Sequence, residues 1–257
     1  MIGNFLRRAL ILAAALAVFP TLIVRPAHAD AVKDAVGAPD RPQEERARDN
    51  GRKPAAVLGF WGVKPGEKVF ELAAGGGYYT DLLSRVVGAQ GRVYAQYSEG
   101  AWTRAKDMFA KRFAPRGNVE AFIGDFADFT PEAASIDAIM AALIWHHMHY
   151  DEAAGEALPD KTKAFLASTL RMLKPGGSLL IIEHEAPAGA SRAQSAAWHR
   201  APKQMTIADV TAAGFRFEGA SDALANPADN LANYWREALP ARDSSQRFVL
   251  KFSKPAQ

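Results

Sequence analysis

The chain has 257 residues, no cysteine, 49% hydrophobic residues and 23% charged residues, the composition of an ordinary globular protein. Without cysteine it can form neither a disulfide framework nor a thiolate metal site. The formal net charge is +3, and the first 29 residues contain three arginines and no acid. The remainder therefore carries 28 basic and 28 acidic residues. That remainder has no global field to attract a phosphate backbone, and we do not expect it to bind nucleic acid.

The first 29 residues are predicted to be a secretory signal peptide. Arg7-Arg8 precedes an apolar run, and Ala27-His28-Ala29 has the small-x-small pattern of a cleavage site. The run is shorter than the roughly 20 residues that span a bilayer, so a lasting membrane anchor is the less favoured alternative. We expect an exported, periplasmic protein. The arginine pair partly resembles a twin-arginine signal, and the ordinary secretory route is an equal alternative.

The mature chain is predicted to begin with a flexible leader over residues 30–42, which are polar with scattered alanine and proline. Residues 43–257 are expected to form a single domain, whose first helix is predicted over Gln43–Phe60. From Lys68 onwards, short apolar strands alternate with helices. The predicted strands are Lys68–Ala73, Arg92–Tyr97, Val119–Ile123, Ser135–Leu143, Ser178–His184, Phe215–Ala220 and Arg247–Phe252, and the helices between them are Tyr78–Val87, Ala101–Arg112, Lys161–Leu173 and Thr206–Ala213.

This alternation is typical of βαβ units. It predicts an α/β protein with a Rossmann-like open, mostly parallel, seven-stranded sheet and helices on both faces. No long helix separates the last two strands, so we expect them to pair antiparallel at one edge of the sheet.

A strand, three glycines and a helix follow one another in residues 69–87. Glycines permit a sharp turn and a close approach of backbone N–H groups to a ligand, and the helix N-terminus adds partial positive charge. The G-x-G-x-x-G spacing of dinucleotide sites is absent. Two alternatives remain: a tight turn without a ligand, or the pattern acid-x-G-x-G-x-G, with which Glu71, Ala73, Gly75 and Gly77 align.

This pattern resembles motif I of the class I S-adenosylmethionine-dependent methyltransferases. Further along, Gly124-Asp125-Phe126 is similar to the segment that contacts the adenine in that family, and Leu173–Leu179 is similar to its turn before strand five. The resemblance implies that the protein is an enzyme that uses S-adenosylmethionine as its cofactor and transfers a methyl group to a small-molecule acceptor.

The resemblance also implies which residues hold the cofactor. In the family, an acid at the end of strand two holds the ribose hydroxyls; this chain has Gln96 and Tyr97 there, and Glu99 follows in the next turn. An amide offers a single oxygen to the ribose, so we expect weaker binding of the ribose hydroxyls than in the family. The candidate cofactor-binding residues are Glu71, Ala73, Gly75, Gly77, Gln96, Tyr97, Asp125 and Phe126.

The C-terminal half is similar to a group of exported bacterial proteins described as predicted methyltransferases. The resemblance lies in segments such as Glu183-His184-Glu185, Trp198-His199-Arg200 and Asn226–Asp229. Because a fold does not fix a reaction and the ribose acid is missing, a second hypothesis stays open. It is a non-catalytic binding module with the methyltransferase fold in the periplasm.

Histidines follow the predicted fourth strand in the segment Trp145–Tyr150. His147, and His199 further along, are the candidate catalytic residues, because imidazole can act as a general base near neutral pH. Imidazoles near carboxylates also suit zinc or iron, and histidines often only pack within loops. The spacing defines no coordination geometry, so no metal ligand is assigned. Residues 187–202 are predicted to form a long loop of the kind that serves as a lid.

Overall fold

The computed structural model describes residues 27–238 and 243–256, so most of the predicted signal peptide lies outside the described residues. Its centre is a sheet with the strand order β3-β2-β1-β4-β5-β8-β7, and β6 pairs with β5 beside this path. The strands are β1 Lys68–Leu72, β2 Arg92–Tyr97, β3 Val119–Ile123, β4 Ile136–Ala142, β5 Leu173–Ala186, β6 Ala201–Pro202, β7 Arg216–Ser221 and β8 Arg247–Ser253. The predicted Rossmann-like fold is therefore confirmed.

Strands β1 to β5 pair in parallel, whereas β8 pairs antiparallel with both β5 and β7. The antiparallel pair at the sheet edge is therefore confirmed as well. The helices are α1 Ala27–Gly37, α2 Gln43–Arg46, α3 Asp49–Arg52, α4 Pro54–Trp61, α5 Tyr78–Val87, α6 Glu99–Arg112, α7 Asp160–Met172, α8 Arg192–Ala197, α9 Lys203–Ala212 and α10 Trp235–Ala238. Among these described elements, none combines the length and hydropathy needed to cross a bilayer.

Two apolar clusters cover the two faces of the sheet. Successive residues of a strand point to opposite faces, so Val69 lies in one cluster and Phe70 in the other. Helices α1, α4, α5 and α6 pack on the Val69 side, and α7 and α9 pack on the Phe70 side. The carboxyl ends of β1, β2, β3 and β4 meet at one edge of the sheet, where a cavity opens.

The prediction of a flexible leader over residues 30–42 is wrong. Residues 27–37 form helix α1, which lies against α5 and α4. Val32 and Ala35, three residues apart on one helix face, are buried in the core. Arg41 is also buried and forms a bidentate ion pair with Asp49. The leader is ordered because these contacts tie it to the domain.

The single helix predicted over Gln43–Phe60 is three short helices, α2, α3 and α4. Lys53 interrupts it with a left-handed backbone, at φ +41°. Pro54 explains the break, because proline has no N–H to continue a helix and disfavours helical geometry in the residue before it. The segment before this break is tied to the C-terminal part of the domain, because Arg48 and Arg52 both pair with Asp243.

The prediction of a long loop over residues 187–202 is also wrong in part. Helix α8 forms within it, capped by Ser191 and Gln194 in a reciprocal capping box. The buried Arg192 binds Asp209 through both of its terminal nitrogens and donates to the carbonyl of His149. These contacts tie the segment to α9 and to the loop after β4. It is therefore an ordered part of the domain and does not have the loose attachment expected of a lid.

Candidate active site

A cavity of about 900 Å³ opens at the carboxyl ends of β1, β2, β3 and β4. It lies where the strand order reverses, between β1 and β4, which is the place where open α/β sheets bind ligands. One wall consists of the turns after β1, β2 and β3. The opposite wall consists of the segment after β4 and the first turns of α7. A second cavity of about 670 Å³ lies away from these strand ends, between the α2–α3 segment and residues 224–226 and 243–247.

The three glycines of the turn after β1 have different environments. Gly75 lines the cavity with φ +59°, and a Cβ placed on it would meet only the carbonyl oxygen of Ala73 at 3.8 Å. Gly76 has open space around it. Gly77, at φ +81°, lies against Phe113, whose ring carbons would be 2.6 Å from a Cβ. Gly75 therefore faces the cavity, whereas Gly77 packs against Phe113 and is not among the lining residues, so its position does not support the predicted contact with the cofactor.

Ala73 stands where the family pattern has its first glycine, and it keeps a glycine-like backbone with φ +53°. Left-handed geometry costs an alanine roughly 1–2 kcal/mol. Gln96 stabilises it, since the Ala73 N–H donates to Gln96 Oε1 at 2.8 Å and the Ala74 N–H donates to the Gln96 carbonyl at 3.0 Å. Ala73 lines the cavity as predicted.

Gln96 lines the cavity, but its amide is already bonded at both ends. Its Oε1 accepts from Ala73, and its Nε2 donates to the carbonyl of Gly124 at 2.8 Å. The side chain therefore bridges the turns after β1 and β3. A carboxylate could not make the bond to Gly124, because it has no hydrogen to donate. Gln96 is thus a positioning residue for the turns, and its contact with the ribose stays a prediction.

Tyr97 lines the cavity, whereas Glu71 is not among its lining residues. The Tyr97 ring is fully buried and packs against Trp102 and Phe109, at centroid distances of 5.4 and 6.2 Å. Glu71 is also buried, and Thr80 Oγ1 donates to its Oε2 at 2.6 Å. Burial raises the pKa of Glu71 to about 8 despite that hydrogen bond. The sequence had predicted that both residues bind the cofactor, and this stays a prediction.

Asp125 and Phe126 lie at the end of β3 and both line the cavity, as predicted. Asp125 caps a 3₁₀ turn by accepting the N–H of Ala127 at 2.9 Å, and its side chain is exposed at the cavity edge. Phe126 packs against Phe165 at a centroid distance of 4.5 Å. Glu99, in the first turn of α6, also lines the cavity and is the carboxylate nearest in sequence to the missing ribose acid.

The opposite wall carries the two candidate catalytic histidines. His147 lines the cavity and is exposed, and His199 lies beside it at a ring distance of 5.3 Å. The structure adds His146, whose ring is 4.1 Å from that of His147 and 5.4 Å from that of His199. His199 is held by α8 with a left-handed backbone, φ +51°. The three imidazoles, from segments some fifty residues apart in the chain, thus converge.

A fully buried carboxylate lies beneath these histidines. Glu183, on β5, accepts the main-chain N–H of His146 at 3.0 Å and that of His184 at 2.7 Å. Its Oε1 also lies 2.9 Å from His146 Nδ1, which has no hydrogen-bond partner of good geometry among the described residues. His184 belongs to a separate contact, because it stacks on Trp235 at 4.3 Å and lies 2.7 Å from Ser245 Oγ through Nδ1.

Burial lowers the pKa of both His147 and His199 below its ordinary value, and the neighbouring His146 lowers it further. Both rings are therefore neutral at pH 7, with a nitrogen lone pair free to accept a proton or bind a cation. His149 is buried with both ring nitrogens unpaired among the described residues, and burial lowers its pKa to about 4.

The sequence missed the other residues of this wall. Ile144, Met148, Lys161 and Phe165 line the cavity beside His147. Their positions depend on how the loop after β4 meets α7, for which the sequence contains no local motif. Three of the four are apolar, so this part of the cavity is suited to an apolar ligand.

Comparison with known proteins agrees with this geometry. Residues 69–177 match the family model described as a methyltransferase domain. This segment is similar to methyltransferase domains. The match covers less than half of the chain, and the fold is similar to that of a solved SAM-dependent methyltransferase. The matched segment runs from β1 to the start of β5 and contains the whole cofactor-side wall of the cavity.

Two of the similar curated proteins are ubiquinone/menaquinone biosynthesis C-methyltransferases named UbiE. That of Idiomarina loihiensis is 34% identical over 131 residues, which are 51% of this chain and 47% of that protein. That of a Marinomonas species is 34% identical over 128 residues, 49% of this chain and 46% of that protein. The chain therefore spans about half the length of the curated relatives it matches.

Among solved structures, a SAM-dependent methyltransferase from Aquifex aeolicus is similar with a TM-score of 0.56 and 18% sequence identity. The alignment covers 88% of this chain and 98% of that one. At this identity the likeness shows the fold alone. It extends beyond residues 69–177, so the common fold includes most of the domain.

Proposed function

We propose that this protein is an exported class I methyltransferase that transfers a methyl group from S-adenosylmethionine to a small apolar acceptor. The observation that carries the proposal is the open approach to Gly75. The turn after β1 borders a cavity of about 900 Å³, and no side chain fills the space in front of that glycine. A turn that only reversed the chain would not need this space.

The residues of the first wall fit the cofactor. The main chain at Ala73 and Gly75 would lie against its methionine part, and Asp125 with Phe126 would hold the adenine. Glu99 would accept the ribose hydroxyls in place of the missing acid, because it is the carboxylate that lines the cavity next to β2. When bound, S-adenosylmethionine supplies an electrophilic methyl group on a sulfonium.

The second wall fits the acceptor. Ile144, Met148 and Phe165 offer an apolar surface, which agrees with the quinone pathway in the names of the UbiE relatives. His147 faces the same space as a neutral imidazole and is placed to accept a proton from the acceptor. The walls act chiefly by holding the two reactants in one orientation, which is the largest contribution expected in such a transfer.

Export belongs to the proposal, and it rests on the arginine pair, the apolar run and the small-x-small site within residues 1–29. Fractionation of cells that produce the full chain tests it. We expect the protein in the periplasmic fraction, shortened at its N-terminus; full-length protein in the cytosol would contradict export without bearing on the cofactor.

Titration calorimetry tests the cofactor site. The mature chain is titrated with S-adenosylmethionine and with S-adenosylhomocysteine, and we expect binding of both with dissociation constants in the micromolar range. The absence of heat at millimolar concentrations of either compound would contradict the proposed function. It would favour the alternative of a non-catalytic binding module.

A further inference from the structure

The three histidines beside the cavity are arranged as metal ligands are. One ring nitrogen from each of His146, His147 and His199 lies within 4.8 Å of the others. Two imidazole nitrogens that share a tetrahedral zinc ion are roughly 3.4 Å apart, given Zn–N bonds of about 2.1 Å. The cluster therefore needs to contract by about 1.4 Å at most, and rotation of the exposed His147 side chain supplies much of this.

The site is built into the fold and does not arise from surface side chains that happen to meet. His146 is only 7% exposed, and its Nδ1 lies 2.9 Å from Oε1 of the buried Glu183, which leaves Nε2 as its other ring nitrogen. A ligating histidine commonly has its second ring nitrogen held by a carboxylate in this way. His199 retains a left-handed backbone that histidine adopts uncommonly, and the loop before His146 contains another such residue, Leu143, at φ +59°.

Glu183 supplies the charge that such a site needs. It is fully buried and lies 2.9 Å from His146 Nδ1. Carboxylates beside a ligating histidine orient the ring and increase its basicity. Glu183 is itself held in place, because it accepts the main-chain N–H groups of His146 and His184.

We propose that His146, His147 and His199 bind a divalent transition-metal ion such as Zn²⁺, with Glu183 as the outer-shell partner of His146. Three neutral imidazoles suit Zn²⁺ and its neighbours in the first transition row and exclude Ca²⁺ and Mg²⁺, which take oxygen ligands. A site with three protein ligands keeps one coordination position open. His147 borders the cavity, so the open coordination position would lie next to the space that we propose for the acceptor.

The role of the ion rests on the proposed function. An acceptor with a hydroxyl group would coordinate the ion through its oxygen, which lowers the pKa of that hydroxyl. The O–H bond breaks, its proton passes to water, and the electron pair remains on the oxygen that the ion holds. With the ion bound, His147 is therefore a ligand and no longer the proton acceptor, and the acceptor enters the reaction as the more nucleophilic anion.

The test uses untagged mature protein and Zn²⁺ alone. Bound metal is counted by mass spectrometry after dialysis, and the affinity is measured by titration calorimetry. We expect one Zn²⁺ per chain. His147→Gln and His199→Asn are expected to weaken binding at least tenfold each, since losing a ligand costs no less than losing an outer-shell partner. Asparagine is chosen at position 199 because it tolerates the left-handed backbone.

His149→Gln is the matched control, because His149 lies in the same loop but outside the cluster. It is expected to leave the Zn²⁺ affinity unchanged, and thermal melting of every variant checks that each is folded. Failure of the wild-type protein to bind Zn²⁺ at millimolar concentration would overturn the proposal. So would equal affinities in folded His147→Gln, His199→Asn and wild-type protein.

Titration of the same samples with S-adenosylhomocysteine separates this proposal from the proposed function. Binding of S-adenosylhomocysteine without binding of Zn²⁺ overturns the metal site and leaves the methyltransferase. Binding of Zn²⁺ without binding of S-adenosylhomocysteine supports the metal site and overturns its role toward a methyl acceptor. Binding of both supports the two proposals together.

Discussion

The two walls of the central cavity are built from different materials. The wall after β1, β2 and β3 consists largely of main chain, opened by Gly75 and held in place by the amide of Gln96. The wall after β4 and β5 presents ionisable rings, with His147 and His199 above the buried Glu183. The first wall offers shape and hydrogen bonds, and the second offers lone pairs and charge.

This difference suggests a separate role for each wall. A wall of main chain can bind a large, constant ligand through backbone groups and needs few particular side chains. Ionisable side chains with perturbed pKa values cluster where chemistry takes place. We therefore propose that the first wall binds the cofactor and that the second holds the reacting acceptor. Substitutions in the first wall should accordingly alter binding or stability through backbone geometry.

The largest effect is expected from Gly75→Val. The new side chain would occupy the space in front of the turn, so affinity for S-adenosylhomocysteine should fall by about five- to 150-fold, as expected of a steric penalty of about 1–3 kcal/mol on a required contact. Gly76→Val is the matched control, since nothing lies within 4 Å of a Cβ there. Calorimetry that finds the two variants equal would place the cofactor elsewhere.

Gly77→Ala should have the opposite profile. A Cβ at this position would lie 2.6 Å from ring atoms of Phe113, on a backbone with φ +81°. We expect a loss of about 2–4 kcal/mol in the free energy of unfolding, from overpacking and left-handed strain together. Denaturant unfolding measures it, and the affinity of the folded variant for S-adenosylhomocysteine should stay within a few-fold of wild type. A selective loss of affinity would return Gly77 to the binding site.

Gln96→Glu tests the bridge between the turns with a side chain of the same shape. The carboxylate cannot donate to Gly124, so the unfolding free energy should fall by about 1–3 kcal/mol. Because Gln96 also supports Ala73, cofactor affinity should fall as well. Tighter binding in this variant would show that position 96 acts on the ribose directly and that the bridge is secondary.

The effect of Glu71→Gln depends on pH and is smallest at pH 5, where both side chains are uncharged in the folded protein. In the folded protein the pKa of Glu71 is raised from its ordinary value of 4.5 to about 8, so folding favours the protonated form. The stability that this form contributes is complete below pH 4.5 and is lost as the pH rises towards 8. The free energy of unfolding is measured at pH 5 and pH 8, and the value for the variant relative to wild type should be higher at pH 8 than at pH 5. A constant difference would contradict the assigned burial.

Much of the first wall could be predicted from the sequence because its parts are contiguous. The strand, glycine turn and helix around Gly75 form one local unit, and Asp125 follows its own strand directly. The environments of individual residues were not predictable. Phe113 fills the space beside Gly77, and Gln96 meets Gly124 only through the pairing of β2 with β3. Both contacts depend on tertiary packing.

The second wall and the N-terminal helix show the same limit. His146 and His199 meet only because α8 folds between them, although the capping pair Ser191 and Gln194 was visible in the sequence. The spacing of Val32 and Ala35 likewise favours a helix in the segment predicted as a leader. What the sequence did not contain was the surface of α5 on which that helix lies.

A crystal structure of the mature protein with S-adenosylhomocysteine tests the central claim most directly. The account predicts the ligand in the cavity at the carboxyl ends of β1, β2 and β3, with its amino-acid part against Gly75, its ribose at Glu99 and its adenine beside Asp125. Density for the ligand elsewhere on the domain, or side chains closed over Gly75 in the presence of saturating ligand, would contradict it.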